Sequence, residues 1–264
     1  MAQRILRPLS YGDLFDETFE LYKSKFLVLA GIAGVVYLPL YVIAYGLGGP
    51  IGQGLAAVLS LPLTYLVMAA TTYAVSQLYL GNETTIADSY KSIRPRAVPF
   101  FGTMMLAGIF IFGGMLACIV PGVMLAFRYS FISQVFIIEG LSSTPARHRS
   151  AQLAEGQYGR IFVVGLLASL LVWIGSAIIT IPAQMIALAF GRTAYGFSTP
   201  GYFVMGVSQG LAQALITPIE VIALVLLYFD VRVRKEGFDV ELLASSLASS
   251  AEICELPQGP ASNG

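Results

Sequence analysis

The sequence predicts an all-α fold, a polytopic membrane helical bundle of six transmembrane helices with an N-terminal amphipathic interfacial helix and both termini cytoplasmic. Three observations predict it. The chain of 264 residues is 56% hydrophobic and only 11% charged, with a mean hydropathy of +0.76, whereas a soluble domain carries roughly a quarter charged residues. Six apolar stretches each suit a hydrocarbon core of about 30 Å, which takes about 20 residues of helix to cross. Threading the chain through them puts all fifteen Lys and Arg residues on one side except Arg128 and Arg192, and cytoplasmic loops are where cations are retained.

The first segment, 1–25, reads as a cytoplasmic amphipathic helix. Over 13–26, Phe15, Phe19, Tyr22 and Phe26 recur at helical spacing, with Ser10 or Asp13 available as cap. Asp13, Asp16, Glu17 and Glu20 fill the early turns and Lys23 and Lys25 the end, which suits the helix dipole. Such acidity is a poor match for anionic lipid, so this helix is expected to lie on the protein's own basic inner loops. No short apolar core followed by a small-residue cleavage site precedes the first span, so no removable signal peptide is expected.

The transmembrane domain, 26–230, holds spans at 26–46, 54–79, 97–119, 121–138, 161–190 and 203–229. Its outer connections, at 46–50, 120–122 and 191–202, are short, and Arg192 is the one charge among them. The fourth stretch carries Arg128 inside it. Were that stretch re-entrant, Arg147, Arg149, Arg160, Arg232, Arg234 and Lys235 would all fall outside, so charge sidedness favours a crossing. Polar lead-ins at 10–25, 84–96 and 143–160 precede the first, third and fifth spans. This fits a parallel threefold repeat, and equally any even-span protein divided into hairpins.

Pro39, Pro62, Pro182 and Pro218 lie within spans, where each removes a backbone hydrogen bond and bends are expected. Gly206, Gly210 and Ala214 share one face of the sixth span at a spacing that allows close backbone approach, within the bundle or between two copies. Gly237 is expected to cap that helix. A cytoplasmic C-terminal helix follows within 231–256, with Val240, Leu243 and Leu247 on one face, and 257–264 is expected to be disordered.

Arg128 and Glu220 are the Asp, Glu, Lys or Arg residues deepest within spans, and each is costly alone in hydrocarbon. Counted from Glu139 and Asp230, both lie about 15 Å from the inner face at 1.5 Å per residue. An intramembrane ion pair between the fourth and sixth spans is therefore expected, with a polar transport site as the alternative. Arg147, Arg149 and Arg160 are candidates for contact with lipid phosphate, which guanidinium binds bidentately. Zero formal net charge gives no reason to expect a nucleic-acid partner.

No catalytic constellation, metal-binding cluster or phosphate-binding loop is legible, so no catalytic residue, metal or cofactor is expected. The single histidine, His148, has no cysteine or carboxylate cluster beside it in sequence. Cys118 and Cys254 fall on opposite sides of the membrane and cannot form an intrachain disulfide.

Three passages resemble the glycerophosphoryl diester phosphodiesterase membrane-domain family. They are Arg7-Pro-Leu-Ser-Tyr-Gly-Asp-Leu-Phe-Asp-Glu-Thr-Phe-Glu-Leu-Tyr-Lys, Pro121-Gly-Val-Met-Leu-Ala-Phe-Arg-Tyr-Ser through Glu139-Gly, and Tyr228-Phe-Asp-Val-Arg-Val-Arg-Lys-Glu-Gly-Phe-Asp. The resemblance covers roughly residues 7–243 and implies a helical domain of the bacterial inner membrane, here in a stand-alone form without the catalytic barrel. No catalytic residue carries over. The expectation is a non-enzymatic scaffold or partner subunit with a lipid-related role, whose partners are membrane lipids, another membrane subunit or a second copy. The alternative is a small-solute or lipid transporter built around Arg128 and Glu220.

Overall fold

The computed structural model of the chain describes residues 9–47, 49–193 and 196–237. Arg4, Arg7, Cys254, the expected C-terminal helix and the tail lie outside the described residues. The helices are α1 (Tyr11–Ser24), α2 (Phe26–Gly46), α3 (Gly49–Tyr79), α4 (Ile86–Ile93), α5 (Ala97–Ala117), α6 (Ile119–Arg128), α7 (Ile132–Gln134), α8 (Ser143–Ala154), α9 (Tyr158–Ala189) and α10 (Thr199–Glu236). A π-helical turn, Val135–Glu139, continues α7. The β structure among the described residues is the two-residue ladder of β1 (Arg192–Thr193) with β2 (Gly196–Phe197), antiparallel, between α9 and α10. Six apolar helical segments are long enough to cross a membrane, Phe26–Gly46, Ile51–Tyr79, Ile86–Ala117, Ile119–Glu139, Tyr158–Ala189 and Thr199–Glu236. The chain is thus a multi-pass helical membrane protein.

Local chemistry sets the helix ends. Ser10 and Asp13 form a reciprocal capping box at the start of α1, each side chain bonding the other's backbone N–H at 3.1 Å. Thr85 caps α4, its hydroxyl accepting from the Asp88 N–H at 3.2 Å and donating to the Asp88 carboxylate at 2.7 Å. At the far end of the chain, α10 stops at Gly237 in the left-handed region, φ +62°.

The last helix is the axis of the bundle. Its apolar core is 67% buried within the protein, against 17% for α9, and it packs on α1, α2, α3 and α9. Lipid tails are as apolar as leucine, so close packing must hold the spans together. A Cβ added to Gly206 would sit 2.7 Å from the Tyr41 carbonyl oxygen, and one on Gly210 3.0 Å from Leu38 Cα. Ala214 meets Gly34 of α2 on the same seam. The small-residue stripe therefore seats α10 on α2 within one chain. Leu27, Ile43, Phe112, Leu116, Trp173 and Ile178 are exposed and belong to the broad apolar perimeter.

The seam of α1 differs from its aromatic pattern. Leu14, Thr18 and Leu21 are the buried residues, while Phe15, Phe19 and Tyr22 flank them and Phe26 is exposed. Thr18 can take the central position because its hydroxyl donates to the Leu14 carbonyl at 2.7 Å. Rather than resting on loops alone, α1 packs on α10. There the Tyr22 hydroxyl donates to the Leu215 carbonyl at 2.6 Å, one turn before Pro218 interrupts the backbone ladder.

Polar contacts gather several helix ends at one end of the bundle. Tyr79 at the end of α3 donates to Glu17 of α1 at 3.2 Å, and Arg160 at the start of α9 meets Asp230 near the end of α10 at 2.8 Å. Arg149 of α8 joins Glu139, which closes the π turn, to Glu236 of α10. The fourth stretch thus finishes at the end of the bundle where α10 finishes.

If the α2–α10 seam carries the packing, Gly206→Ala should cost about 1–3 kcal/mol, read as a lower thermal midpoint of the detergent-extracted protein. Gly102→Ala, where a Cβ meets nothing within 4 Å, should leave the midpoint unchanged or slightly raised.

Candidate functional site

The charged end of the bundle is built around one buried carboxylate. Asp230, whose side chain is wholly inaccessible, lies 2.8 Å from Arg160 Nε and 3.0 Å from Arg234 Nε. It also accepts the Leu9 N–H at 2.7 Å. Both arginines turn a second nitrogen to the Leu9 carbonyl, each at 2.6 Å, so the Leu9 N–H and C=O are both satisfied by this cluster. Arg160 further lies 4.9 Å over the Tyr11 ring, within cation–π range. The contact from Arg160 Nε to Asp230 is an ion pair without hydrogen-bond alignment.

A second cluster adjoins it. Glu139 accepts from Arg149 Nε at 2.9 Å and from the Tyr228 hydroxyl at 2.7 Å, and Arg149 Nη2 continues to Glu236 at 2.8 Å. The hydrogen bond to Glu236 is the largest influence raising the Arg149 pKa above its ordinary value, with Glu139 adding to it against the cost of burial. Glu236 also pairs with Arg232 one turn back at 3.2 Å. Lys235 donates to the Gln152 carbonyl at 2.8 Å and reaches the Glu155 carbonyl, which satisfies groups left open at the end of α8. Arg149 and Arg160, two of the three expected lipid contacts, are thus engaged inside the protein.

The fourth span is broken, and this break displaces Arg128. After α6 the chain turns through Tyr129, Ser130 and Phe131 before α7. Ser150 of α8 fits against the break. Its hydroxyl donates to the Arg128 carbonyl at 2.8 Å and accepts the Phe131 N–H at 3.2 Å, standing in for helical bonds. The straight-helix count from Glu139 therefore fails, and the expected pairing with Glu220 is not made. Among the described residues neither side chain has an ion-pair partner. Glu220 is half-buried on α10 near Tyr37, whereas Arg128 is exposed beside α8.

What Arg128 shares is a groove of about 260 Å³ between α6 and α8. Leu125, Arg128 and Tyr129 form one wall, and Thr144, Arg147 and His148 the other. Arg147 is held in place by the Thr144 hydroxyl at 2.9 Å and lies 5.0 Å over the Phe110 ring of α5, while its Nε is buried without a partner. None of the residues lining the groove carries a carboxylate. Two guanidiniums, two hydroxyls and an imidazole make it a place for an anion rich in oxygen acceptors. Among the described residues, no three His, Cys, Asp or Glu side chains gather in a metal-binding arrangement.

A multi-pass helical membrane protein with an ion-locked charged end is the class that this fold defines. Comparison with protein-family models, with curated proteins and with solved structures returned no significant match. The role of Asp230 was hidden because the residue reads as a span boundary, although its i, i+4 spacing to Arg234 was a usable signal. Nothing in the sequence points to Ser150.

Asp230→Asn should destabilise the extracted protein by about 3 kcal/mol, since it leaves the largely buried Arg160 guanidinium without its counter-ion, Arg234 being more open to solvent, and limited proteolysis should then reach the chain before α1. Ser150→Ala should cost about 1–3 kcal/mol through a backbone pair left unsatisfied. A double-mutant cycle of Arg128→Gln and Glu220→Gln should show coupling no larger than about 0.5 kcal/mol.

Proposed function

We propose that this chain is a non-enzymatic integral protein of the bacterial cytoplasmic membrane, with both termini cytoplasmic, acting as a scaffold or partner subunit with a lipid-related role. The observation that carries this reading is the division of labour among its charges. Asp230, Glu139 and Glu236 and their arginines bind the protein to itself, while Arg128 and Arg147 face a groove beside exposed apolar surface. The orientation rests on retention of cations in cytoplasmic loops. Assignment to the glycerophosphoryl diester phosphodiesterase membrane-domain family is supported by the meeting of its three passages, through Leu9, Glu139 and Tyr228 to Asp230, in adjoining clusters.

Small-solute transport is the second reading. It is favoured by the file of rings Tyr37, Tyr41, Tyr45 and Tyr202, with centroids 6.2, 6.2 and 6.4 Å apart, near a Glu220 that has no ion-pair partner among the described residues. Gln53 donates to the Tyr202 hydroxyl at the end of that file at 3.4 Å, whereas Gln134 is fully buried, Gln213 accepts from Thr217 on its own helix and Gln184 is exposed.

A reporter fused behind Gly264 should be active in the cytoplasm, and a mass spectrum of the extracted complex should show bound lipid or a second subunit. A periplasmic reporter overturns the orientation. Hydrolysis of glycerophosphodiesters by the pure protein overturns the non-enzymatic reading, and solute flux in proteoliposomes that Glu220→Gln abolishes replaces it with transport.

A further inference from the structure

We propose that the groove between α6 and α8 binds the phosphate of an anionic membrane lipid, held by Arg128 and Arg147. The proposal deepens the lipid-associated scaffold reading and rests on it. Charge is the first argument. At the charged end, Arg149, Arg160, Arg232 and Arg234 each have a carboxylate within 3.2 Å, and Lys235 is held by backbone carbonyls. Arg128 has no such carboxylate, and neither Arg128 nor Arg147 has an ion-pair partner among the described residues. Both line one groove, so the groove carries two positive charges and the mutual repulsion that a bound anion would relieve.

Geometry is the second argument. Thr144 and the Phe110 ring fix the Arg147 guanidinium from two sides, so little rotamer freedom is left to lose on binding. The buried, unpartnered Nε of Arg147 is a donor in need of an acceptor. Arg128 and the hydroxyls of Tyr129 and Thr144 add donors around the same space, as the oxygens of a phosphate group require.

The surroundings identify the source of the phosphate. Phe110 under Arg147, and Val123 and Met124 one turn from Arg128 on α6, are exposed and apolar. An anion that brings hydrocarbon tails can cover these residues, and free phosphate cannot. A zwitterionic lipid would bring its ammonium towards two guanidiniums, so the groove selects for net negative headgroups.

The test is native mass spectrometry of the full chain in detergent, titrated with phosphatidylglycerol, phosphatidylethanolamine or inorganic phosphate. Wild type should retain phosphatidylglycerol about tenfold more strongly than phosphatidylethanolamine. The Arg128→Gln/Arg147→Gln variant should lose that preference, while Lys91→Gln/Arg94→Gln, which removes two exposed cations elsewhere, should keep it. The milder Arg147→Lys, which keeps the charge but not the fork of donors, should weaken retention severalfold at an unchanged thermal midpoint. Equal retention of the two lipids by wild type overturns the proposal, whatever the variants do. Equal loss in both double variants reduces it to general surface charge. Displacement of phosphatidylglycerol by millimolar phosphate would assign the groove to the free anion. Lipid retained equally with and without the two arginines would sink this site and leave the scaffold reading standing.

Discussion

A carboxylate closed off from water is the constraint on which the rest of the molecule depends. Removing an ion of this kind from solvent costs several kcal/mol after relaxation. Asp230 is tolerable where it is because two guanidiniums and a backbone N–H surround it. Each partner comes from a different region: Arg160 opens α9, Arg234 closes α10 and Leu9 precedes α1. Satisfying one acid therefore fixes three parts of the chain in one arrangement, and α10 carries that arrangement to α2 and α3 by direct packing.

Within the apolar region the means of cohesion change. Burial of hydrocarbon gives no advantage there over contact with lipid, and the helices meet through their smallest side chains. Gly206 and Gly210 admit the α2 backbone, and Ala69, Ala70, Thr71, Thr72 and Ala74 are fully buried in the second half of α3. Large side chains such as Trp173 and Phe112 point outward instead. Small residues admit close approach at the seams, while Tyr37, Phe100 and Phe131 fill the space between the helices and are fully buried.

Much of this architecture can be read from residue order, because hydrophobic length is a property of single segments. The six apolar helices, the cap at Gly237 and the Ser10 capping box all follow from local rules. What escapes such rules is any feature that depends on two segments at once. The depth of Arg128 follows from sequence only for a continuous helix, and a hydroxyl twenty-two residues later makes the break in that helix tolerable. The buried face of α1 shifted by one position because a threonine that bonds its own backbone packs more closely than a phenylalanine. Arg149 and Arg160 looked available for lipid because their partners, Glu236 and Asp230, stand far along the chain.

The hydroxyl that bridges Arg128 and Phe131 also bears on how the protein is made. Its owner belongs to the third lead-in helix, so the second hairpin leaves the ribosome with its hydrogen-bond ladder open and can complete it only after residue 150 has emerged. Until then, the unfinished turn must be sheltered by water, lipid headgroups or the insertion machinery. The second hairpin matures on a schedule set by the segment that follows it.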